Sequence, residues 1–323
     1  MEDVLHDAIP ALDLADFLEA RQEAKAAFVE ALGAAYTHIG FVSVRNHFLT
    51  SAIQERLYDA VKKFFALPDA VKQHYEIREL AGQRGYTGKL KEHAKGRHTG
   101  DLKEFYHIGQ ELPEEALKEE NYPVNVWPDE VPGFRQATVD AFQALEKTGL
   151  YMLRAIALFL ELPETYFDDK VRHGNSILRP IHYFPVEATE VIPPDAVRAA
   201  AHGDINLITL LMGASAEGLE VLRRDGKWIP VTALPDQLVV NVGDMLERHT
   251  NGKLKSTIHR VVNPPKERMN TPRYAIPFFM HPRSDMDLTC IESCVDEMCP
   301  KLFENITAGE FLDQRLAEIG LKK

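Results

Sequence analysis

The rhythm of apolar and polar positions changes near residue 175. Before that point apolar residues recur at helical spacing. In "SAIQERLYDAVKKFFALP", Ile53, Leu57, Val61 and Phe64 fall about one turn apart, which predicts an amphipathic helix capped by Ser51 and stopped by Pro68. The alanine-rich residues near 21–38 predict another helix. Residues 133–162, between Pro132-Gly133 and Pro163, predict a long one that turns Phe134, Ala141, Leu145, Met152, Ile156 and Phe159 towards a core. Two segments interrupt these helices, "AIPALDL" and, after Gly40, "GFVSVRNHF", and both read as extended.

Beyond residue 175 the segments shorten and become β-rich: "ILRPIHYFP", "DINLITLL", "GLEVLRR", "KWIPVT", "QLVVNVGDMLE", "KSTIHRVVN" and "RYAIPFFMH". Asp225-Gly226 joins the third to the fourth, and Asn251-Gly252 lies between the fifth and sixth. Both dipeptides are hairpin signals. Many short antiparallel strands point to a sandwich or jelly roll. The chain ends in "TAGEFLDQRLAEIG", where Thr307 and Glu310 have capping-box spacing.

One strand start does not fit a buried sheet. "AAAHGDINLITLL" places His202 and Asp204 at the head of an apolar run. If the run is one strand, both side chains share a face, with Asn206 behind them. A neutral imidazole and a carboxylate on one face make two-thirds of a metal site; a solvated loop entering a strand is the alternative. "KSTIHRVVN" offers a third donor, His259, mid-strand and on the far arm of the Asn251-Gly252 turn. Fourteen residues on, Arg273 shares a strand face with Ala275 and Phe279. An inward arginine in an apolar strand needs an anion. That anion is either a core Asp or Glu or a bound carboxylate held bidentately.

Charge narrows the function classes. Lys and Arg number 37 against 49 Asp and Glu, giving a net charge of −12. This balance argues against a nucleic-acid surface and against an anionic membrane. No basic, apolar leader opens the chain, and "LYMLRAIALFLEL" is too short to span a bilayer. The three cysteines, Cys290, Cys294 and Cys299, lack paired metal spacing and suit a reducing cytoplasm. Residues 81–101, "AGQRGYTGKLKEHAKGRHTGD", form a basic loop without periodicity, either a solvated connection or a lid facing substrate.

These motifs, in order, resemble the Fe(II)/2-oxoglutarate-dependent oxygenases of the isopenicillin N synthase-like family, and they do so over nearly the whole chain. "IPALDL", "GFVSVRNH", "FFALP" and "DLKEFYHIG" are similar to its N-terminal region. "HGD", "GLEV", "DGKWIPV", "NVGDMLERHTNGKLKSTIHRV" and "RYAIPFF" are similar to its catalytic core. The resemblance implies an α+β chain with a mainly β core, a double-stranded β-helix (jelly roll) with flanking helices and an N-terminal α/β extension. Residues 1–125 would form the N-terminal region. Residues 126–323 would form the long helix, catalytic core and C-terminal helix, all in one unit. His202, Asp204 and His259 match the iron ligands, and Arg273 matches the residue that binds the 2-oxoglutarate carboxylate.

The implied cofactors are Fe(II), 2-oxoglutarate and O2. The implied reaction turns 2-oxoglutarate into succinate and CO2 while hydroxylating, desaturating or cyclising a small substrate. An oxidase independent of 2-oxoglutarate, of the isopenicillin N synthase type, and a noncatalytic iron-dependent binder are the alternatives. Two positions depart from the family. Ala275 stands where a serine is usual, and "HYFP" at 182–185 stands where Asn-Tyr-Tyr-Pro is usual, so two hydroxyls that commonly help hold 2-oxoglutarate are missing. Phe279, Arg179, Arg84 and Arg97 are the candidate substrate residues, and their charge predicts a small polar substrate bearing a carboxylate. Phe279 could equally be core packing.

Overall fold

Both rhythms are realised in the computed structural model, which describes residues 7–19, 21–80, 82–92, 99–120, 122–186, 196–212, 218–232 and 234–318. The first half runs β1 (Ala11–Asp13), α1 (Leu14–Leu18), α2 (Gln22–His38), β2 (Phe41–Arg45), α3 (Ser51–Phe65), α4 (Asp69–Gln73), β3 (Gly85–Thr87), β4 (Glu104–Gly109), α5 (Glu114–Glu120), α6 (Phe134–Phe159) and α7 (Asp168–Val171). Then follow β5 (Ile177–Leu178), β6 (Ile181–Tyr183), β7 (Ala199–His202), β8 (Ile208–Met212), β9 (Leu219–Leu222), β10 (Trp228–Pro230), β11 (Leu238–Val242), α8 (Asp244–His249), β12 (His259–Val261), β13 (Arg273–Met280) and α9 (Ala308–Glu318).

The strands form two sheets. The larger has the order β1-β2-β11-β8-β13-β5-β4-β3, with β6 paired to β13 and β4; the smaller has the order β10-β9-β12-β7. Among the described residues only β1 and β2 pair in parallel, at the edge contributed by the N-terminal region. In its second half the chain passes back and forth between the sheets, which is a double-stranded β-helix.

Alternation along the strands sorts residues into two apolar layers. Ile208, Leu210 and Met212 of β8, Leu238, Val240 and Val242 of β11, and Ile276, Phe278 and Met280 of β13 join α6 in the larger core. The opposite faces join the smaller sheet: Val239 and Ala275 pack with Val221, Val261 and Tyr183. Each aliphatic side chain buried this way contributes about 1.5–3 kcal/mol. The same alternation turns Thr209 and Asn241 into the space between the sheets. Among the described residues, no helix is long and apolar enough to cross a membrane.

Four expectations need correction. First, residues 202–211 are not one strand. His202 ends β7 in the smaller sheet, the chain turns at 203–207, and β8 continues in the larger one. Asn206 is buried in that turn, where its Nδ2 donates to the Ile208 carbonyl at 2.8 Å. Gly243 packs so closely over it that a Cβ would lie 2.2 Å from the Asn206 carbonyl.

Second, Asn251-Gly252 does not make a hairpin. Both residues have positive φ, 51° and 75°, as such a turn requires, but they lead the chain out of α8. Strand β11 belongs to the larger sheet and β12 to the smaller. Asn251 instead fastens the C-terminal segment, donating to the Cys294 carbonyl at 3.0 Å and accepting from the Leu302 amide at 2.8 Å. Third, the cap of α3 is Thr50, whose hydroxyl accepts from the Ile53 amide at 3.4 Å; Ser51 is the first helical residue. Fourth, the basic loop contains strand β3, paired with β4. The Asp225-Gly226 hairpin and the Thr307/Glu310 capping box do form.

Burial of imidazoles sets an acid limit on this fold. Desolvation pushes His249 and His281 down to about 4 from the ordinary value of 6.5. Below pH 6.5 the unfolded chain takes up protons that the folded one refuses, so stability falls as pH drops from 6.5 towards 4. Each such histidine is worth about 3 kcal/mol over that interval. The Tm of the metal-free protein should be level above about pH 7 and fall steadily to pH 5. A level calorimetric profile across that range would contradict the assignment.

Candidate active site

Antiparallel pairing of β7 with β12 sets His202 opposite His259. Their ring centroids are 4.5 Å apart. The turn after β7 brings Asp204 to the same point. Its Oδ1 lies 3.9 Å from His202 Nε2 and 3.7 Å from His259 Nε2. Donor atoms of the three residues all fall within 4.8 Å of one another, the one such His/Cys/Asp/Glu cluster among the described residues.

Each donor is oriented by a further contact. His202 Nδ1 lies 2.7 Å from the Ala200 carbonyl, and His259 Nδ1 lies 3.1 Å from the Thr257 carbonyl. A carbonyl only accepts, so both Nδ1 atoms carry the proton and both Nε2 lone pairs face the centre. Asp204 Oδ2 accepts from Thr209 Oγ1 at 2.7 Å and from Asn241 Nδ2 at 2.8 Å. That leaves Oδ1 for a metal. Two neutral imidazoles and one carboxylate on one side of a cation suit Fe(II) and leave coordination positions open.

Electrostatics favour the ligating forms. Desolvation and the neighbouring His259 push the His202 imidazole down to about 4. Burial alone would raise Asp204, but His259, His202 and the hydrogen bonds from Asn241 and Thr209 outweigh it and hold the carboxyl below its usual range. A deprotonated carboxylate and a neutral imidazole are the forms that bind metal.

Arg273 and Ala275 begin β13 on the face between the sheets, paired with Tyr183 and Ile181 of β6. Arg273 is 1% exposed, with its guanidinium carbon 4.8 Å from the centre of the Tyr183 ring. Phe184 is turned away into a small cluster with Leu102, Val186, Ala196 and Met269.

The other candidates separate. Arg179 lies over two rings, 4.5 Å from the centre of Phe105 and 5.0 Å from that of Phe279. Its Nε donates to His107 Nε2, and its Nη1 donates to Glu92 at 3.2 Å. Lys103 continues this row, 2.7 Å from Glu92 and 2.8 Å from Asp101. The row borders the His/Asp cluster: Lys103 helps depress His202, and His281 feels both Asp204 and Arg179. Arg84 is not on a solvated lid. It is 1% exposed and packed against Gly109, where a Cβ would lie 2.1 Å from its Nη2. Arg97 lies outside the described residues.

Sequence reading missed Thr209, Asn241, Lys103 and His107. The first two left a trace, a polar residue at an inward position of an otherwise apolar strand. Lys103 and His107 left none, because only the pairing of β4 with β5 and β6 brings them to the site.

Comparison with known proteins gives the family. Residues 9–130 match the N-terminal domain described as non-haem dioxygenase in morphine synthesis, and residues 175–282 match the 2OG-Fe(II) oxygenase superfamily. A proline hydroxylase of Petromyces alliaceus, buaE, is 33% identical over 321 residues, 95% of this chain and 98% of its own. A crystal structure of a 2OG-Fe(II) oxygenase family protein from Caulobacter crescentus has 44% identity and a TM-score of 0.86, covering 97% of this chain and 99% of that one. A full-length Neurospora crassa protein, solved in complex with alpha-KG and thymine, has 32% identity and a TM-score of 0.85, with 98% of each chain covered. With both regions matched and relatives aligned end to end, the chain belongs to the 2OG-Fe(II) oxygenase superfamily and is an Fe(II)- and 2-oxoglutarate-dependent dioxygenase.

Proposed function

We propose that this enzyme hydroxylates a small polar molecule, with His202, Asp204 and His259 holding Fe(II), Arg273 binding the distal carboxylate of 2-oxoglutarate, and Arg179 and Phe279 facing the substrate. The carrying observation is the convergence of two lone pairs and one carboxylate oxygen, each fixed from behind. Bound Fe(II), with 2-oxoglutarate and O2, supplies the oxidising power that breaks a substrate C–H bond, with succinate and CO2 as co-products.

The protein's own task is positioning. Thr209 and Asn241 occupy one oxygen of Asp204, so the other keeps a fixed direction. Arg273 offers a planar fork that matches a carboxylate. Arg179 is braced by His107 and Glu92, and among the described residues its Nη2 has no protein partner. A substrate carboxylate or a ring carbonyl suits that donor. The thymine held by the Neurospora crassa protein carries such carbonyls. We further place the enzyme in a reducing cytoplasm, in keeping with its three free cysteines.

Anaerobic titration tests the metal and cosubstrate. Adding 2-oxoglutarate to the Fe(II)-loaded protein should raise a metal-to-ligand charge-transfer band. His259→Ala should abolish both iron retention and the band. Asn241→Ala should bind Fe(II) about 10- to 100-fold more weakly while keeping all three ligands. Iron binding without a charge-transfer band would favour the 2-oxoglutarate-independent oxidase, and full iron occupancy in the His259 variant would exclude the triad.

Substrate is tested by measuring stimulated succinate formation across small carboxylic acids, amino acids and pyrimidines. For the substrate so found, Arg179→Ala should raise KM about tenfold or more, since a hydrogen bond to a charged group contributes about 1.5–3 kcal/mol. The KM for 2-oxoglutarate should stay put. A variant with unchanged substrate KM would remove Arg179 from the site.

A further inference from the structure

A second buried arginine lies beside Arg273, and the sequence motifs give it no role. Arg198 directly precedes β7, four residues before His202, and is 3% exposed. Its amide donates to Asn263 Oδ1 at 3.0 Å, and its Nη2 donates to the Thr271 carbonyl at 3.0 Å. The main chain is thus tied to the segment after β12, and the head group to the segment just before Arg273. Its guanidinium carbon lies 5.9 Å from the centre of the Tyr183 ring, against 4.8 Å for Arg273. Two guanidinium groups from opposite sheets therefore border one buried ring.

Burying like charges together is unfavourable unless an anion joins them. Burial, and then the Arg273 charge, push Arg198 below its ordinary value. Among the described residues no carboxylate pairs with Arg198; its side-chain acceptor is the Thr271 carbonyl. Two planar forks bordering one ring suit a carboxylate with four lone-pair sites.

The residues beside this ring give the pair a purpose. Ala275 follows Arg273 on the same face without a hydroxyl, and Phe184 is turned away into its own cluster. We infer that Arg198 and Arg273 together clamp the distal carboxylate of 2-oxoglutarate, with Arg198 standing in for the hydroxyl that Ala275 lacks. The inference rests on the reading of Arg273 as the cosubstrate anchor.

The test is binding, not turnover. The Fe(II)-loaded full chain is titrated anaerobically with 2-oxoglutarate and, separately, with pyruvate, which keeps the 2-oxo acid but has no distal carboxylate. Arg198→Gln should weaken 2-oxoglutarate about tenfold or more, as expected for losing a charge-assisted hydrogen bond, and leave pyruvate unchanged. Arg198→Lys keeps the charge without the fork and should show a smaller loss, again confined to 2-oxoglutarate. Should the glutamine variant not fold, the lysine variant decides.

Wild-type affinity for 2-oxoglutarate, or equal losses for both ligands, would make Arg198 structural and overturn the clamp. Arg273→Gln separates the two claims. If it loses 2-oxoglutarate while the Arg198 variants do not, the clamp fails and the anchor stands. If neither position matters, the anchor itself fails.

Discussion

The hydrogen bonds to Asp204 Oδ2 are the constraint on which the site depends. Three segments meet at that oxygen: the turn after β7, β8 through Thr209 and β11 through Asn241. Asp204 is also bound through its backbone, since its carbonyl accepts from the Asp244 amide at 2.7 Å at the start of α8. A carboxylate that could rotate would offer either oxygen to a metal. This one offers a single oxygen, and in doing so it closes the gap where the chain crosses from the smaller sheet to the larger. The chemistry and the crossing use the same residue, which is why His202 and Asp204 are separated only by glycine. Gly203 sits where a Cβ would come within 3.1 Å of Asp244 Oδ1.

Much of this was legible in the chain, and the errors have a common cause. Helix α6 and the short strands follow from periodicity, because their faces are buried uniformly. His202, Asp204, His259 and Arg273 stand out because polar residues interrupt apolar strands. What periodicity cannot reveal is which sheet a strand joins. The run at 202–211 contains no breaker stronger than Gly203, yet it changes sheet there. Asn251-Gly252 has hairpin chemistry and hairpin dihedrals, but its neighbours pair elsewhere. Local sequence sets the bend, and tertiary pairing decides what the bend connects.

Burial explains why Arg84 was misplaced. A basic, glycine-rich stretch reads as solvated, and much of it is polar. Arg84 nevertheless fills the space that Gly109 leaves, and burial pushes its guanidinium down to about 10. It stands near His107, whose imidazole burial and then Arg179 hold well below its ordinary value. His107 donates through Nδ1 to the Gly82 carbonyl at 2.6 Å and accepts the Arg179 Nε proton at Nε2. A protonated His107 would have no lone pair for Arg179. The neutral ring is therefore what lets a cation be aimed from inside the protein.

The same logic orders the whole space between the sheets. At one end sit two imidazoles whose Nδ1 atoms are held by backbone carbonyls, so that both Nε2 atoms face the same point. At the other sit the guanidinium groups of Arg273 and Arg198. Ala275, Ile181, Val239 and Phe41 share one apolar cluster in this space and offer no ions. In such surroundings charge interactions are screened less than in water. If the arginines bind the tail as proposed, a ligand with a metal-chelating head and an anionic tail is favoured at both ends at once, and reversing it would set its tail against Asp204. On the proposed reading, the order of charges between the sheets sets the direction in which such a ligand would lie, before any single contact fixes its position.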